Sequence, residues 1–403
     1  MTTLRLREWA TTHGAVLTPG QRDALRGNLR ATVQPTAGTS DTYDITPGNV
    51  IGAVLVEDTV LLIEPKIPIS RVLFLLAYTA DPTAWHNEAA AMGEAPDVPS
   101  GVAALHATLC EHALRRGLLA GYHTIEDHLH TVRGRIDLAE QLRRRPGLDL
   151  PLAVRFEEHD EDTTENRLLL SATQLLRRLP IRNHHTQRTL HRLSEALQHV
   201  TPIAFPPTAV PVITWTRLNA HYRAAVELAR LLLRLRTVDL TPGATSTAAL
   251  TIDMAVLFEE FVRTALREAL PATPAQFPTG SGTPRLALDG LGRIRLEPDL
   301  SYWTRGQCTF IGDVKYKRDT GAGHNDDLYQ LLAYATAARL PSAMLVYANG
   351  PPGPVTHHVP ATGAHLHIRH LDLSRPPIDQ LAQIQRLALE IPRASHHIAA
   401  ATP

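Results

Sequence analysis

Short apolar runs near the N-terminus predict a β-rich region that also contains helices. Residues 50–56 and 59–63 are rich in β-branched side chains and are separated by Glu57 and Asp58, which predicts a tight hairpin. A helix is predicted at residues 19–29, where Thr18 can cap the first turn. We therefore expect residues 1–95 to form a first domain.

The middle of the chain, residues 96–245, is dominated by helical periodicity. Apolar residues repeat at helical spacing in four segments, which are residues 102–119, 168–179, 187–200 and 218–235. Small and polar residues at 241–247, including Pro242 and Gly243, predict the boundary with a last domain, residues 246–403.

Two charged segments interrupt the predicted helices of this middle region. Residues 133–145 contain five arginines, which could contact phosphate or an acidic partner, or could form an ordinary solvated helix face. Residues 156–162 are strongly acidic and would repel DNA. We expect the acidic segment to cap a helix or to face a basic partner.

The last domain has the predicted order helix, β-hairpin, helix, strand, which indicates a mixed sheet flanked by helices. The opening helix, residues 252–270, places apolar side chains on one stripe with Glu259 at its edge. The helix at residues 327–338 places Gln330 and Tyr334 four residues apart on one face. The fold class predicted for the whole chain is α/β, with an α+β N-terminal region.

The hairpin at residues 293–316 places three charged groups together. Strands are predicted at residues 293–303 and 307–316, with a turn at residues 304–306, so that Asp299 faces Asp313 with Cβ atoms roughly 5 Å apart. Alternation along the second strand puts Lys315 and Lys317 on the same face as Asp313. An ordinary surface hairpin with solvated charges would show the same spacing, so the surrounding chain has to decide.

Two carboxylates at this separation repel each other unless a cation or a shared proton lies between them. A hard divalent ion such as Mg²⁺ binds through one or two carboxylates and keeps water or phosphate oxygens as its other ligands. We therefore predict a site with one or two Mg²⁺ ions held by Asp299 and Asp313, with Glu259 as a possible third ligand. Lys315 would position or activate the attacking water.

Composition and charge add limits to this picture. The 403 residues carry 40 basic and 40 acidic side chains, so no global basic charge favours DNA. Cys110 and Cys308 lie far apart and predict neither a disulfide framework nor a zinc ribbon, which fits a reducing cytoplasm. No apolar run approaches the roughly 18 residues of a membrane span, and the N-terminus lacks a signal-peptide core, so we expect neither membrane insertion nor secretion.

The ordered set of Glu259, Pro298-Asp299, Asp313-Val314-Lys315 and Gln330 with Tyr334 resembles the PD-(D/E)xK nuclease superfamily. The wider chain resembles the McrC family, the nuclease subunits of McrBC modification-dependent restriction systems. The stretches that carry this resemblance are Glu-Pro-Lys-Ile at 64–67, Val-Arg-Gly-Arg-Ile-Asp at 132–137, Asp162-Thr163 with Asn166-Arg167, Leu257-Phe258-Glu259, Gly-Asp-Val-Lys-Tyr-Lys at 312–317 and Leu328-Tyr329-Gln330.

The resemblance implies a DNA endonuclease that works with a partner. Subunits of this family bind a hexameric AAA+ GTPase, McrB, through their N-terminal region, stimulate its GTP hydrolysis and cut double-stranded DNA, modified DNA in particular. The chain has no phosphate-binding loop of the Gly-x-x-x-x-Gly-Lys-Ser/Thr type, which agrees with a motor on another chain. On this basis Asp299, Asp313, Lys315, Glu259 and Gln330 are the expected catalytic set, and Lys317 and Tyr334 the expected DNA contacts.

Two other classes of function are compatible with parts of the sequence. A non-catalytic adaptor that only activates an AAA+ NTPase needs no acidic pair, and the intact acidic and lysine set argues against it. A zinc protein is suggested by the 21 histidines, but no cysteines accompany them at ligand spacing.

Overall fold

The computed structural model describes residues 2–39, 41–83, 85, 95–144, 149–235, 246–278, 284–319 and 321–396. The chain divides into two compact units, residues 1–105 with 235–403, and residues 106–234. The expected first and third domains are therefore parts of one unit. The middle unit begins and ends about ten residues inside the predicted boundaries of 96 and 245, and the predicted linker at 241–245 lies outside the described residues.

The N-terminal part of the first unit contains the predicted hairpin and helix. Its strands are β1 Thr2–Arg7, β2 Thr12–Val16, β3 Thr32–Pro35, β4 Thr42–Thr46, β5 Val50–Val56 and β6 Thr59–Glu64. Its helices are α1 Pro19–Gly27 and α2 Ile69–Ala80, and α3 Val98–Leu114 begins in this unit and ends in the second. Thr18 caps α1 in a capping box with Gln21, as its position before the apolar repeat predicted.

The second unit contains a sheet that the sequence analysis missed. Its elements are β7 Gly121–Leu129, β8 Arg135–Ile136, α4 Leu138–Arg144, β9 Leu152–Asp160, α5 Thr164–Arg177, α6 His184–Ala196 and α7 Arg223–Leu235. The strand order is β7-β9-β8, and the predicted acidic segment forms much of β9. The expectation of a mainly helical region therefore holds for α4 to α7 but is wrong for the three strands β7, β8 and β9.

Ion pairs within this unit neutralise several of the predicted arginines. Arg133 lies 3.0 Å from Glu158, and Arg143 and Arg144 both pair with Glu140. Arg145 lies outside the described residues. Glu158 of the acidic segment thus forms an ion pair within its own unit, and three of the five predicted arginines have an acidic partner there.

The C-terminal part of the first unit carries the predicted nuclease-type elements. Its strands are β10 Ser246–Asp253, β11 Leu286–Ala287, β12 Arg295–Leu296, β13 Leu300–Thr304, β14 Gln307–Arg318, β15 Ser342–Asn349, β16 Val355–Val359 and β17 Ala364–His370. Its helices are α8 Met254–Ala269, α9 Asn325–Ala338 and α10 Pro377–His396. Asp253 accepts hydrogen bonds from the backbone of Ala255 and Val256 and so caps α8, as the sequence suggested.

One sheet joins the N-terminal strands β1, β5 and β6 to β10 of the C-terminal part, in the order β1-β6-β5-β10. β10 runs antiparallel to β5, and Gly52 pairs with Thr251 there. A Cβ at Gly52 would lie only 2.1 Å from the Leu250 carbonyl oxygen, and Gly52 has a φ of 120°, so glycine is required for this close approach. This pairing explains why the first and last parts of the chain form one unit.

The predicted mixed sheet is present, with five strands in the order β13-β14-β15-β17-β16. β14, β15 and β17 are parallel, and β13 and β16 are antiparallel edge strands. Successive residues of β14 point to opposite faces of the sheet. Tyr316 packs against Phe258 of α8, whereas Lys317 contacts Asp327 of α9. Helices therefore cover both faces, and β14 lies between them.

Within the described part of the chain, no helix is long and apolar enough to cross a membrane.

Candidate active site

The register of the β13–β14 hairpin brings Asp299 opposite Asp313. Leu300 pairs with Gly312, and Asp299 is the residue before Leu300, so the next opposed position is Asp313. The predicted facing of the two carboxylates is confirmed.

The turn of this hairpin differs from the prediction. Arg305 and Gly306 form a two-residue turn with φ values of 52° and 79°, as in the turns that favour the right-handed twist of a hairpin. A register shift after Tyr302 leaves one extra residue in β14. With the two-residue turn alone Asp299 would lie opposite Gly312, and the extra residue moves the register by one, so that Asp299 lies opposite Asp313.

The first predicted strand, residues 293–303, is not continuous. β12 pairs with β11 in a separate two-stranded ribbon, and β13 begins only at Leu300. Glu297, Pro298 and Asp299 connect the ribbon to the hairpin. Asp299 is therefore held at the entrance to β13, where its Oδ2 accepts a hydrogen bond of 2.9 Å from the backbone nitrogen of Val314.

Asp313 lies in the middle of β14 with only 1% of its surface exposed. Lys315 Nζ lies 2.6 Å from Asp313 Oδ2. Among the described residues no hydrogen-bond donor meets this buried oxygen at a normal angle, so Lys315 contacts it as an ion pair. The buried carboxylate thus has the Lys315 ammonium group as its cationic partner.

Burial and mutual repulsion make the two carboxylates hard to ionise together. Burial, and then the charge of Asp313, raise the pKa of Asp299 to about 7, although the Val314 N–H opposes the shift. Burial also raises the pKa of Asp313, against the opposing effect of Lys315. The carboxyl charges in turn outweigh the burial of Lys315 and raise its pKa. The site therefore favours a bound cation or a retained proton.

Glu259 of α8 lies close enough to Asp299 to feel its charge, but it forms an ion pair with a basic residue of its own helix. It forms an ion pair with Arg263 one turn further along α8, and Arg263 Nε donates to the backbone oxygen of Asp299 over 3.1 Å. Burial, and then the charge of Asp299, raise the pKa of Glu259. In the described residues no group of three His, Cys, Asp or Glu side chains is placed to hold one ion, so the role of Glu259 as a third ligand stays a prediction.

Gln330 and Tyr334 share a face of α9, as predicted, and form one hydrogen-bonded chain. Gln330 Nε2 donates to Tyr334 Oη over 2.7 Å, and Tyr334 Oη donates to the backbone oxygen of Glu297 over 3.2 Å. Tyr334 is only 3% exposed, so it has almost no surface for the DNA contact that was predicted. The structure instead gives Tyr334 a positioning role, because it holds the segment that leads into Asp299.

Comparison with known proteins agrees with this architecture. A protein-family model described as "McrBC 5-methylcytosine restriction system component" matches residues 45–348, which is most of the chain. The chain belongs to this McrBC family. The family predicted from the sequence is thus confirmed, and a search of the curated proteins found no match.

Two solved structures of McrBC-family assemblies are similar to this chain. The first is a refined half-complex from a tetradecameric assembly of Thermococcus gammatolerans McrB AAA+ hexamers with bound McrC; one chain of it is 17% identical, with a TM-score of 0.55 over 97% of this chain and 100% of that one. The second is the cryo-EM structure of the Thermococcus gammatolerans McrBC complex, 21% identical with a TM-score of 0.44 over 67% of this chain and 88% of that one. The first similarity supports the fold.

One acidic residue near this site was not predicted from the sequence. Asp327 on α9 lies 2.8 Å from Lys317 Nζ and accepts a hydrogen bond of 2.6 Å from Tyr347 Oη. Its charge also raises the pKa values of Asp313 and Lys315 as a minor contribution. Lys317 is thus engaged by a buried carboxylate, and its contact with DNA stays a prediction.

A cleft of about 640 Å³ opens beside Asp299, and the sequence analysis had not linked its basic residues to the site. The cleft lies between the middle of α8, the β11–β12 ribbon and the connecting segment. Its lining residues are Glu259, Arg263, Pro284, Arg285, Leu286, Arg295, Leu296, Glu297, Pro298 and Asp299. Arginines on a weakly paired ribbon give no periodic signal in the sequence, so only the folded chain brings them to the cleft.

Proposed function

We propose that this chain is the DNA-cutting subunit of a McrBC-type restriction system. It hydrolyses phosphodiester bonds in double-stranded DNA, modified DNA in particular, with Mg²⁺ as cofactor. The observation that carries the proposal is the convergence of Asp299, Asp313 and Lys315 beside an open cleft. Paired carboxylates with an adjacent lysine suit phosphoryl transfer, where catalysis consists mainly of positioning and charge stabilisation.

Asp299 and Asp313 fit one Mg²⁺ ion better than a fully protein-bound metal. Mg²⁺ takes one or two protein carboxylates and keeps other positions for water and phosphate oxygens, and the site offers two facing carboxylates whose pKa values are raised by burial, so that a cation is needed to hold both in the ionised form. Bound there, the ion would polarise the phosphate and balance the charge on its oxygens. The chain's own residues then have to orient the water and the DNA.

Lys315 carries the positive charge on the protein side of the reaction. Because its pKa is raised, it stays protonated near neutral pH and donates hydrogen bonds instead of accepting a proton. Its ion pair with Asp313 fixes the ammonium group at the carboxylate pair. Lys315 is therefore suited to orient the attacking water and to contact a phosphate oxygen.

The partner in this proposal is a hexameric AAA+ GTPase of the McrB kind, which the chain binds and stimulates. Support comes from the family match and from the similar fold in an assembly of McrB hexamers with bound McrC. The missing phosphate-binding loop is consistent with a motor on another chain. The free thiols of Cys110 and Cys308 support a reducing compartment, and we place the protein in the cytoplasm.

The decisive experiment separates cutting from activation of the partner. Asp313→Asn should lower DNA cleavage in Mg²⁺ by about 100-fold or more, because the amide cannot supply the buried negative charge. The same variant should still stimulate GTP hydrolysis by the McrB-type partner. Asp326→Asn, at an exposed position of α9, is the matched control and should cut normally.

Cleavage at the normal rate by Asp313→Asn would refute the active-site assignment. If neither the parent protein nor the variant cuts DNA while both stimulate the GTPase, the chain is an adaptor instead of a nuclease.

A further inference from the structure

The two-stranded ribbon β11–β12 presents basic side chains to the cleft beside Asp299. Leu286 pairs with Leu296, and Ala287 pairs with Arg295. The two leucines pack on the core of the five-stranded sheet. Because neighbouring residues of a strand point to opposite faces, Arg295 lies on the outer face of the ribbon.

Arg285 extends the same basic surface. It immediately precedes Leu286, so alternation places it on the face of Ala287 and Arg295. Arg285 and Arg295 are then diagonal neighbours, with roughly 7 Å between them. Both line the cleft that also contains Asp299.

These two arginines differ from Arg263 in their ion pairing. Arg263 lines the same cleft but is only 7% exposed, and it is held by Glu259 and by the Asp299 backbone. Arg285 and Arg295 are exposed, and in the described part of the chain no carboxylate forms an ion pair with either. They are free to bind an anion from solution.

We infer that Arg285 and Arg295 bind phosphates of the DNA strand next to the bond that is cut. This inference rests on the proposed nuclease function and adds the residues that would place the DNA in the cleft. Guanidinium groups bind phosphate through two parallel hydrogen bonds, which fixes position as well as adding affinity. Phosphate contacts of this kind set the register of the DNA and carry no sequence information.

The ribbon suits this role because it is anchored at one side and open at the other. The Leu286 and Leu296 side chains fix it on the same core that packs under α9, which includes Leu331 and Tyr334. Tyr334 in turn holds Glu297, the residue that follows β12. The basic surface and the carboxylate pair are thus supported by one rigid core.

The test measures DNA binding without cutting. In full-length Asp313→Asn protein, Arg285→Ala and Arg295→Ala are combined, and affinity for a short duplex is followed by fluorescence anisotropy over a series of salt concentrations. The double substitution should weaken binding about tenfold or more. It should also lower the slope of log affinity against log salt by about 2, since each lost phosphate contact removes about 0.9.

Two comparisons make this result specific. Arg293 lies two residues before β12 and is also exposed, but it does not line the cleft, so Arg293→Ala should change the slope far less. Replacing Arg285 and Arg295 by lysine should restore most of the slope, because the charge is kept. The loss in the alanine variant should be equal for modified and unmodified duplexes.

The inference is overturned if the double alanine variant matches Arg293→Ala in affinity and slope, or if the Asp313→Asn protein shows no salt-dependent binding to the duplex. Failure of the nuclease proposal looks different, because it would appear as a parent protein that binds DNA with the predicted slope but does not cut it.

Discussion

Asp299 accepts a hydrogen bond from the backbone nitrogen of Val314, with 2.9 Å between Oδ2 and the nitrogen. This bond crosses the hairpin and holds the Asp299 carboxylate beside Asp313, although Asp299 itself precedes the first hydrogen-bonded residue of β13. This placement makes the carboxyl group hard to ionise, because burial and the charge of Asp313 raise the pKa of Asp299 to about 7.

The first prediction concerns stability of the metal-free protein. Because the folded state holds the Asp299 proton more tightly than the unfolded chain does, this group favours folding at low pH, and the contribution is lost as pH rises from about 4 through about 7. Asp299→Asn removes the charge but can still accept from Val314. The free energy of unfolding of Asp299→Asn should therefore rise relative to that of the parent, by about 1–3 kcal/mol in total, as the pH increases from about 4 to about 8.

Thermal or urea unfolding in the presence of a chelator measures this difference. A gap between variant and parent that stays constant with pH would show that the two carboxylates do not repel each other in the folded protein.

The second prediction concerns Mg²⁺. If the ion binds the ionised pair, its affinity should rise with pH through about 7, and binding should release protons from Asp299. Calorimetry in buffers of different ionisation enthalpy counts these protons. Asp299→Asn should bind Mg²⁺ weakly with little proton release, and a parent protein whose affinity does not depend on pH would contradict the two-aspartate site.

The third prediction tests the positioning role of Tyr334. Tyr334→Phe loses the hydrogen bonds to Gln330 and to the Glu297 carbonyl, so it should destabilise the protein by about 1 kcal/mol. Cleavage should fall roughly tenfold, because the segment leading into Asp299 is held less precisely. DNA affinity should be unchanged, since the ring is buried.

Tyr329→Phe is the matched control for this substitution, because Tyr329 lies on the same helix and is 68% exposed. A large loss of DNA affinity in Tyr334→Phe with normal stability would favour the DNA contact that the sequence suggested.

The fourth prediction concerns the buried ion pair of Lys317 and Asp327. Lys317→Met leaves the buried Asp327 charge without its partner and should destabilise the protein by about 3 kcal/mol. Adding Asp327→Asn should recover much of this loss, because the charge that needed a partner is gone. Urea unfolding of the two single variants and the double variant gives the coupling between the residues, and strictly additive effects would exclude the pair.

Several local features followed from the sequence alone because nearby residues determine them. Two acidic residues between β-branched runs produced the β5–β6 hairpin, and Thr18 capped α1 through a neighbour three residues away. The facing of Asp299 and Asp313 was also predicted, but it depends on a bulge in β14 that the sequence did not predict, because a regular hairpin with a turn at residues 304–306 would place Asp299 opposite Ile311. Short-range geometry thus predicted the hairpin that carries the site, whereas its exact register was decided by the bulge.

Other strands were missed because their apolar signal is weak. No residue of β7 is fully buried, and three successive residues near its end are exposed. The strand therefore lacks the apolar alternation of a half-buried strand. β16 and β17 together contain five histidines and one arginine, and they are stabilised by the pairing of β16 with β17 and of β17 with β15. Pairing with a distant partner leaves no mark on local composition.

The sequence by itself determined which residue types carry the chemistry, the McrBC family and the hairpin that unites two aspartates with Lys315. Only the tertiary structure decided which of the nearby charges are free. It engages Glu259 with Arg263 and Lys317 with Asp327, buries Tyr334, and leaves Arg285 and Arg295 open to the cleft. The reason is physical: burial and ion pairing depend on contacts between residues far apart in the chain, whereas alternation and turns depend on neighbours.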